Sequence, residues 1–286
     1  MKSVVSRLTP LLVSVAGAVL FALFPVLVQA DAGGLAFQWK AAAETVTRYV
    51  SGLPGGESFQ YELSGAQRSF FEDIGSYWQP SFTYVLTAAV GSILLGLAGA
   101  VVLYRSKRLR NLLDAVVVIP DFVIMIALQL FVVFFYKSTG VLLARVATFM
   151  SDEPAVALPL ASMVIVPTFY VLRNLSVHIE EALTADYIRT IKAKGFSRPY
   201  ILVKHMLPNV LPFLKADLPK FLGIIMSNLF IVEYFYNVHG ITKLMMRSGR
   251  EFSLVLNCLF TFMALYGLIL VLVKGLIALL EKGVRR

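Results

Sequence analysis

The stretch Glu180–Pro208, EEALTADYIRTIKAKGFSRPYILVKHMLP, is the polar passage whose placement decides how the rest of the chain is read. Charged, helix-favouring residues fill its first half, Gly195 breaks it, and a second short segment resumes before Pro208. Apolar runs flank it on both sides. The whole chain has 286 residues, 58% hydrophobic and 15% charged, with a mean hydropathy of +0.77. That balance is too apolar for a soluble domain of this size, so the passage is a loop between membrane spans.

Working outward, apolar runs at about 11–28, 81–104, 112–136, 155–172, 217–236 and 252–280 give an all-α, polytopic membrane protein with six transmembrane helices. Residues 1–30 hold the first helix, 31–79 an extracytoplasmic segment, and 80–286 a core of five helices with an inside loop at 173–215. Val28-Gln29-Ala30 has the small-residue pattern of a signal-peptide cleavage site, but the run before it is longer than the 7–15 residues usual for a signal's apolar region. The external segment is expected to hold short helices at 41–50 and 67–78, serving as a cap over the outer mouth or as a spacer. A surface or re-entrant helix is expected at 141–150.

Charge fixes the orientation. Arg105, Lys107, Arg108 and Arg110 crowd the loop after the second span, and the 173–215 loop carries seven bases against three acids. Sixteen basic residues lie inside and eight outside when both termini are cytoplasmic, which is the bias expected of inside-facing loops. The net charge of +9 is therefore a topology signal and not a nucleic-acid footprint. Lys243, Arg247 and Arg250, placed outside, run against the rule.

No G-x-x-x-x-G-K-[ST] phosphate loop occurs, nor H-E-x-x-H, C-x-x-C or G-x-S-x-G, and the single Cys258 has no intrachain partner. Catalytic residues, a bound cofactor and a metal site are not expected. Ionisable residues within spans mark a candidate translocation path at Asp121, Asp217 and Glu233. Asp121 is expected at depth behind the kink of Pro120, and Asp217 to pair with Lys220 three residues on. On residue types alone the 180–208 passage is either a solvated basic loop held at anionic headgroups or a docking element for another chain.

Spacing separates these two readings. Gly195, eleven residues, then Leu207-Pro208 resembles the cytoplasmic "EAA" loop of ABC importer permeases. Asp186-Tyr187-Ile188-Arg189-Thr190-Ile191-Lys192-Ala193-Lys194-Gly195-Phe196-Ser197, followed by His205-Met206-Leu207-Pro208-Asn209, is similar to the version in the dipeptide, oligopeptide and nickel branch. Leu113-Asp114 with Pro120-Asp121-Phe122, and Val232-Glu233 through Phe235 to Gly240, extend the likeness from about residue 81 to the C-terminus. The branch's P-G-D-P after the first span is absent, Ile191 replaces an alanine, and His239 stands where a proline commonly precedes the glycine.

The resemblance implies a type I importer permease in the cell's inner membrane. Its partners would be a second permease chain, as a heterodimer, two ATP-binding subunits holding ATP and Mg, and an external solute-binding protein. Asp186, Tyr187, Arg189, Thr190, Lys192, Ala193, Lys194, Gly195, Phe196, His205, Leu207 and Pro208 would then form the ATPase-coupling loop, with Ala193, Gly195 and Phe196 in the partner's groove and Lys192, Lys194 and Arg198 at its rim. The solute implied is a peptide, with nickel or another small solute behind it. Without the resemblance, the intramembrane carboxylates also fit an ion-coupled secondary transporter. A structural or regulatory membrane subunit is a third reading.

Overall fold

The structure, a computed structural model, describes residues 2–31, 34–63, 65–104, 106–148, 154–247 and 251–285. Among them, six helices are long and apolar enough to cross a membrane: Thr9–Leu27, Phe70–Leu103, Asp121–Thr139, Ala157–Thr184, Arg198–Phe235 and Phe252–Val284. The apolar side chains left exposed on them, such as Leu12, Phe24, Leu95, Phe134 and Leu279, suit a hydrocarbon solvent.

The chain divides into two compact units. One comprises residues up to Ser81 together with His239–Leu265. It begins with α1 (Lys2–Leu27) and the antiparallel hairpin β1 (Val28–Asp31) and β2 (Gly34–Phe37), in which Val28 faces Phe37. Helix α2 (Trp39–Gly52), a 3₁₀ turn at Glu57–Phe59 and a second hairpin, β3 (Gln60–Leu63) and β4 (Ala66–Ser69), follow. The first turns of α3 (Phe70–Leu103), then α10 (Ile241–Arg247) and the start of α11 (Phe252–Arg285), complete it.

Polar side chains close this unit internally. Buried Asn257 accepts from the Tyr49 hydroxyl at 2.6 Å and donates to the Ser58 carbonyl at 2.9 Å, while the Ser58 hydroxyl donates to the Tyr49 carbonyl. Tyr49 also meets the Phe252 ring edge-on at 5.6 Å. The Ser81 hydroxyl accepts from Ile241 N at 3.0 Å, the Arg247 guanidinium donates to the Tyr77 hydroxyl at 3.0 Å, and the Tyr77 and His239 rings stack 3.9 Å apart. The basic segment that broke the charge rule is thus a folded part of this unit as far as Arg247, and Arg250 lies outside the described residues.

The other unit comprises Phe82–Val238 and the chain from Tyr266 onward. Its centre is the antiparallel pair α6 (Ala157–Thr184) and α9 (Leu207–Phe235), with α4 (Lys107–Val117) and α5 (Asp121–Thr139) packed against α6. Helix α3 approaches α6 closely. A Cβ on Gly96 would lie 2.6 Å from Val171 Cγ1, and one on Gly99 2.7 Å from Leu172 Cδ1, so glycine at these places sets the helix separation. Tyr84 donates to the Ala155 carbonyl, Ser92 to that of Val164, and Ser162 pairs with the Tyr236 hydroxyl.

Several expectations change. The helix read at 67–78 is β4 followed by the unbroken start of α3, because Gly65, at φ +82°, turns a hairpin just before it. The third span starts at Asp121 and not near 112. Pro120 is extended (φ −60°, ψ 139°) and separates an amphipathic α4 from α5, so Asp121 stands in a helix's first turn, where the N-terminal dipole favours a carboxylate, and not behind a kink at depth. Residues 141–148 are not helical. Thr148 ties them down, its N–H donating to the Tyr236 carbonyl and its own carbonyl accepting from Asn237 Nδ2, while 149–153 lie outside the described residues. Helix α6 runs on to Thr184, and a helix resumes at Arg198, so the 173–215 passage is helical apart from a short joint.

Candidate coupling site

The joint lies between α6 and α9. Ala185 leaves helical geometry (φ −58°, ψ 144°) and ends α6, and Asp186 opens α7 (Asp186–Ala193). An acid in its first turn and Lys192 in its last both complement the helix dipole. Lys194 N donates to the Thr190 carbonyl and Gly195 N to that of Lys192, closing the helix on Gly195 at φ +82°. A Cβ there would meet nothing within 4 Å, so the backbone conformation, and not space, calls for glycine. Ser197 is extended, Pro199 stands in the first turn of α8 (Arg198–Ile201), and a π turn at Leu202–Met206 leads into Leu207-Pro208.

One side of this hairpin is anchored and the other is open. Ile188, Ile201 and Met206 are buried, whereas Tyr187, Phe196, Tyr200 and Val203 are each 41–48% exposed. The Phe196 and Tyr200 rings stack at 4.7 Å and 13°, and His205 meets Tyr200 edge-on at 5.7 Å. Asn209 Nδ2 donates both to the Tyr187 hydroxyl and to the His205 carbonyl, each at 2.8 Å, which joins the two arms. Lys204 Nζ donates to the Val284 carbonyl at 3.2 Å and Lys215 pairs with Glu281 at 3.3 Å, tying the hairpin and the base of α9 to α11.

The structure therefore brings the sequence-identified residues from Asp186 to Pro208 onto one short, stiff element. Asp186 and Arg189 form an exposed pair at 3.6 Å, and Ala193 and Lys194 are exposed beside Gly195. Lys192 and Arg198, expected at a partner's rim, are both exposed and line a cavity of this chain together with Val102 and Leu183. Tyr200 and Val203 were not singled out from sequence, and Asn209 was quoted in the motif without a role. Phe196 lies in the extended joint before α8, so no helical spacing announces its stacking on Tyr200.

The three intramembrane carboxylates do not form one site. Asp217 accepts from Asn174 Nδ2 at 3.0 Å and from the Tyr170 hydroxyl at 3.4 Å, while Lys220 lies over the Tyr170 ring at 5.3 Å, so the expected Asp217–Lys220 pair is replaced by contacts to α6. Glu233 is fully buried sixteen residues along α9, roughly 24 Å from Asp217 by helical rise, and does not stand at an exposed mouth within the unit. Among the described residues no three His, Cys, Asp or Glu side chains gather as a metal site.

Residues 92–286 match the family described as binding-protein-dependent transport system inner membrane component. The chain belongs to that family. The dipeptide transport system permease protein of Bacillus subtilis (strain 168) is 28% identical over 216 residues, covering 72% of this chain and 67% of the relative. The oligopeptide transport system permease proteins of Haemophilus influenzae and Escherichia coli K12 are 35% identical over 103 residues and 38% over 80, and these stretches span 33% and 26% of the relatives. This inner-membrane component is accordingly a multi-pass permease subunit of an ABC importer, a transport subunit and not an enzyme. The family match begins within α3 and leaves out the two β-hairpins and α2.

Proposed function

We propose that this permease forms part of the translocation pathway for peptides and that Asp186–Pro208 is where ATP-hydrolysing partners grip it. The observation that carries the reading is the exposed, stacked pair Phe196 and Tyr200 beside the joint at Gly195. Stacked, part-exposed rings are suited to filling a partner's pocket. Because α7 continues from α6 through a single broken residue, and α8 runs on through a helical turn into α9, a force on the hairpin acts on the α6–α9 pair at the centre of its unit. Two ATP-binding subunits hold ATP and Mg in this reading, a second and different permease chain completes the pathway, and an external binding protein delivers the solute. Both termini are cytoplasmic, with the hairpin on the same side.

The peptide solute rests on the relatives, which are named for dipeptide and oligopeptide transport, and a nickel or other small solute is the alternative. Asp121 and the Asn174–Asp217 pair border the pathway in this scheme. Family membership takes the place of the ion-coupled reading. The test is Phe196→Ala with Tyr200→Ala in the assembled complex. ATP-dependent uptake is expected to fall by about tenfold or more, as for loss of a hot-spot contact, and unchanged uptake would overturn the assignment.

A further inference from the structure

We infer that the cavity behind the coupling hairpin is a binding site for the headgroup of an anionic phospholipid of the cytoplasmic leaflet. The inference rests on the topology just proposed. The cavity measures about 240 Å³, the liquid volume of about eight waters at ~30 Å³ each, which is room for a headgroup and not for a whole lipid.

Three features select the occupant. The first is charge: Lys192 from α7 and Arg198 from α8 both line the cavity, and among the described residues that line it none is acidic. The hairpin's own acid, Asp186, is engaged with Arg189. The second is the wall. Val101 and Val102 belong to the last turn of the membrane span in α3, Val102 is 74% exposed, and Leu183 and Leu202 continue the apolar lining. A ligand seated here touches cations at one end and span side chains at the other, so it must be amphiphilic. An acidic loop of a soluble ATPase domain satisfies only the first half. The third is position. Tyr104, just past the end of α3, also lines the cavity, so the cavity borders the end of a span, the setting in which basic pockets between helices hold anionic headgroups.

The site gives Lys192 and Arg198 a role that the partner-rim reading does not. A bound phosphodiester would bridge α7 and α8 across the Gly195 hinge and link the hairpin's position to the membrane surface.

The test uses the permease purified within its complex in nanodiscs of phosphatidylcholine containing a titrated fraction of phosphatidylglycerol, with retained lipid counted by native mass spectrometry. Lys192→Gln with Arg198→Gln is expected to weaken phosphatidylglycerol retention about 25-fold, at about 1 kcal/mol per cation. Arg189→Gln with Lys194→Gln, which removes the same charge from the same hairpin outside the cavity, is expected to leave retention within about twofold. The swap Lys192→Arg with Arg198→Lys should keep the lipid and shows that the hairpin still folds. Equal losses in both neutralised pairs would mean general surface attraction and would overturn the proposal, as would retention that ignores Lys192 and Arg198. Lipid held by the isolated permease but expelled in the complex would assign the cavity to the ATPase. Retention is read without transport, so the lipid site and the coupling assignment can fail separately.

Discussion

The two polar regions of this chain, the 28–81 segment and the 185–209 hairpin, satisfy their polar groups in opposite ways. The 28–81 segment turns its polar groups inward. Tyr49, Ser58 and Asn257 satisfy one another across two hundred residues of sequence, and Tyr77, Ser81 and Glu62 are each met by the 239–265 stretch. The hairpin is held by three buried aliphatic residues and local bonds, and it leaves its rings outside. Exposed stacked rings occur in both, Phe37 with Trp39 and Phe196 with Tyr200, so the difference lies in the polar bonding. A region that completes its own hydrogen bonds through a distant part of the chain is held by them, whereas the hairpin's are mostly local.

The sharpest way to break this contrast is Asn257→Ala. It leaves the Ser58 carbonyl and the Tyr49 hydroxyl without their buried partner and should cost about 1–3 kcal/mol, seen as a lowered Tm of the purified subunit. The Phe196→Ala, Tyr200→Ala pair, although it removes far more side-chain volume, should change the same Tm by under about 1 kcal/mol, because both rings are part-exposed and their stacking is worth about that. If the two variants exchanged places, the internal-versus-docking distinction would be wrong.

A smaller effect is expected from pH. Burial, and after it the Arg247 guanidinium, lowers the His239 imidazole below its ordinary 6.5, with Lys243 in the same sense and Asp73 opposing. The unfolded chain then binds the proton more readily, so the contribution is present above pH 6.5 and is lost as pH falls from 6.5 through the lower folded value. Glu251, raised above its ordinary 4.5 by burial and held back by the Glu62 N–H, works in the other direction: its contribution is present below pH 4.5 and is lost as pH rises through the folded value. Between pH 7.5 and 6 the unit that holds His239 should lose under about 1 kcal/mol, because the exposure of that side chain to water limits the effect. His239→Gln should flatten that part of a Tm-against-pH curve.

The membrane fold was legible because hydropathy reports spans directly, and each of the six runs holds a span helix, although the third is broken at Pro120. Their ends were not. Residues 173–184 and 198–216 are too polar to register as span, yet they are helical because an amphipathic helix can leave the bilayer without breaking. The β-hairpins were missed because four-residue strands carry little alternation, and Asn257 could not be matched to Tyr49 without the tertiary fold. At the coupling site the glycine hinge and its spacing to Pro208 were legible, since a positive φ has few residue solutions. The cavity that Lys192 and Arg198 share with Val101 and Val102 was not, because it depends on where α3 ends. Asp217 likewise chose Asn174 across the helix pair over Lys220 along its own helix, a competition that sequence spacing cannot decide.

The central claim is that the Gly195 joint transmits force between ATP hydrolysis and the core. Its most direct test is Gly195→Ile in the reconstituted complex, with uptake and ATP hydrolysis measured together. A β-branched residue at φ +82° costs about 1–2 kcal/mol or deforms the joint. Uptake should fall about tenfold or more while the subunit still inserts and its Tm drops by no more than that strain accounts for. Uptake per ATP hydrolysed that matches the unaltered complex would contradict it.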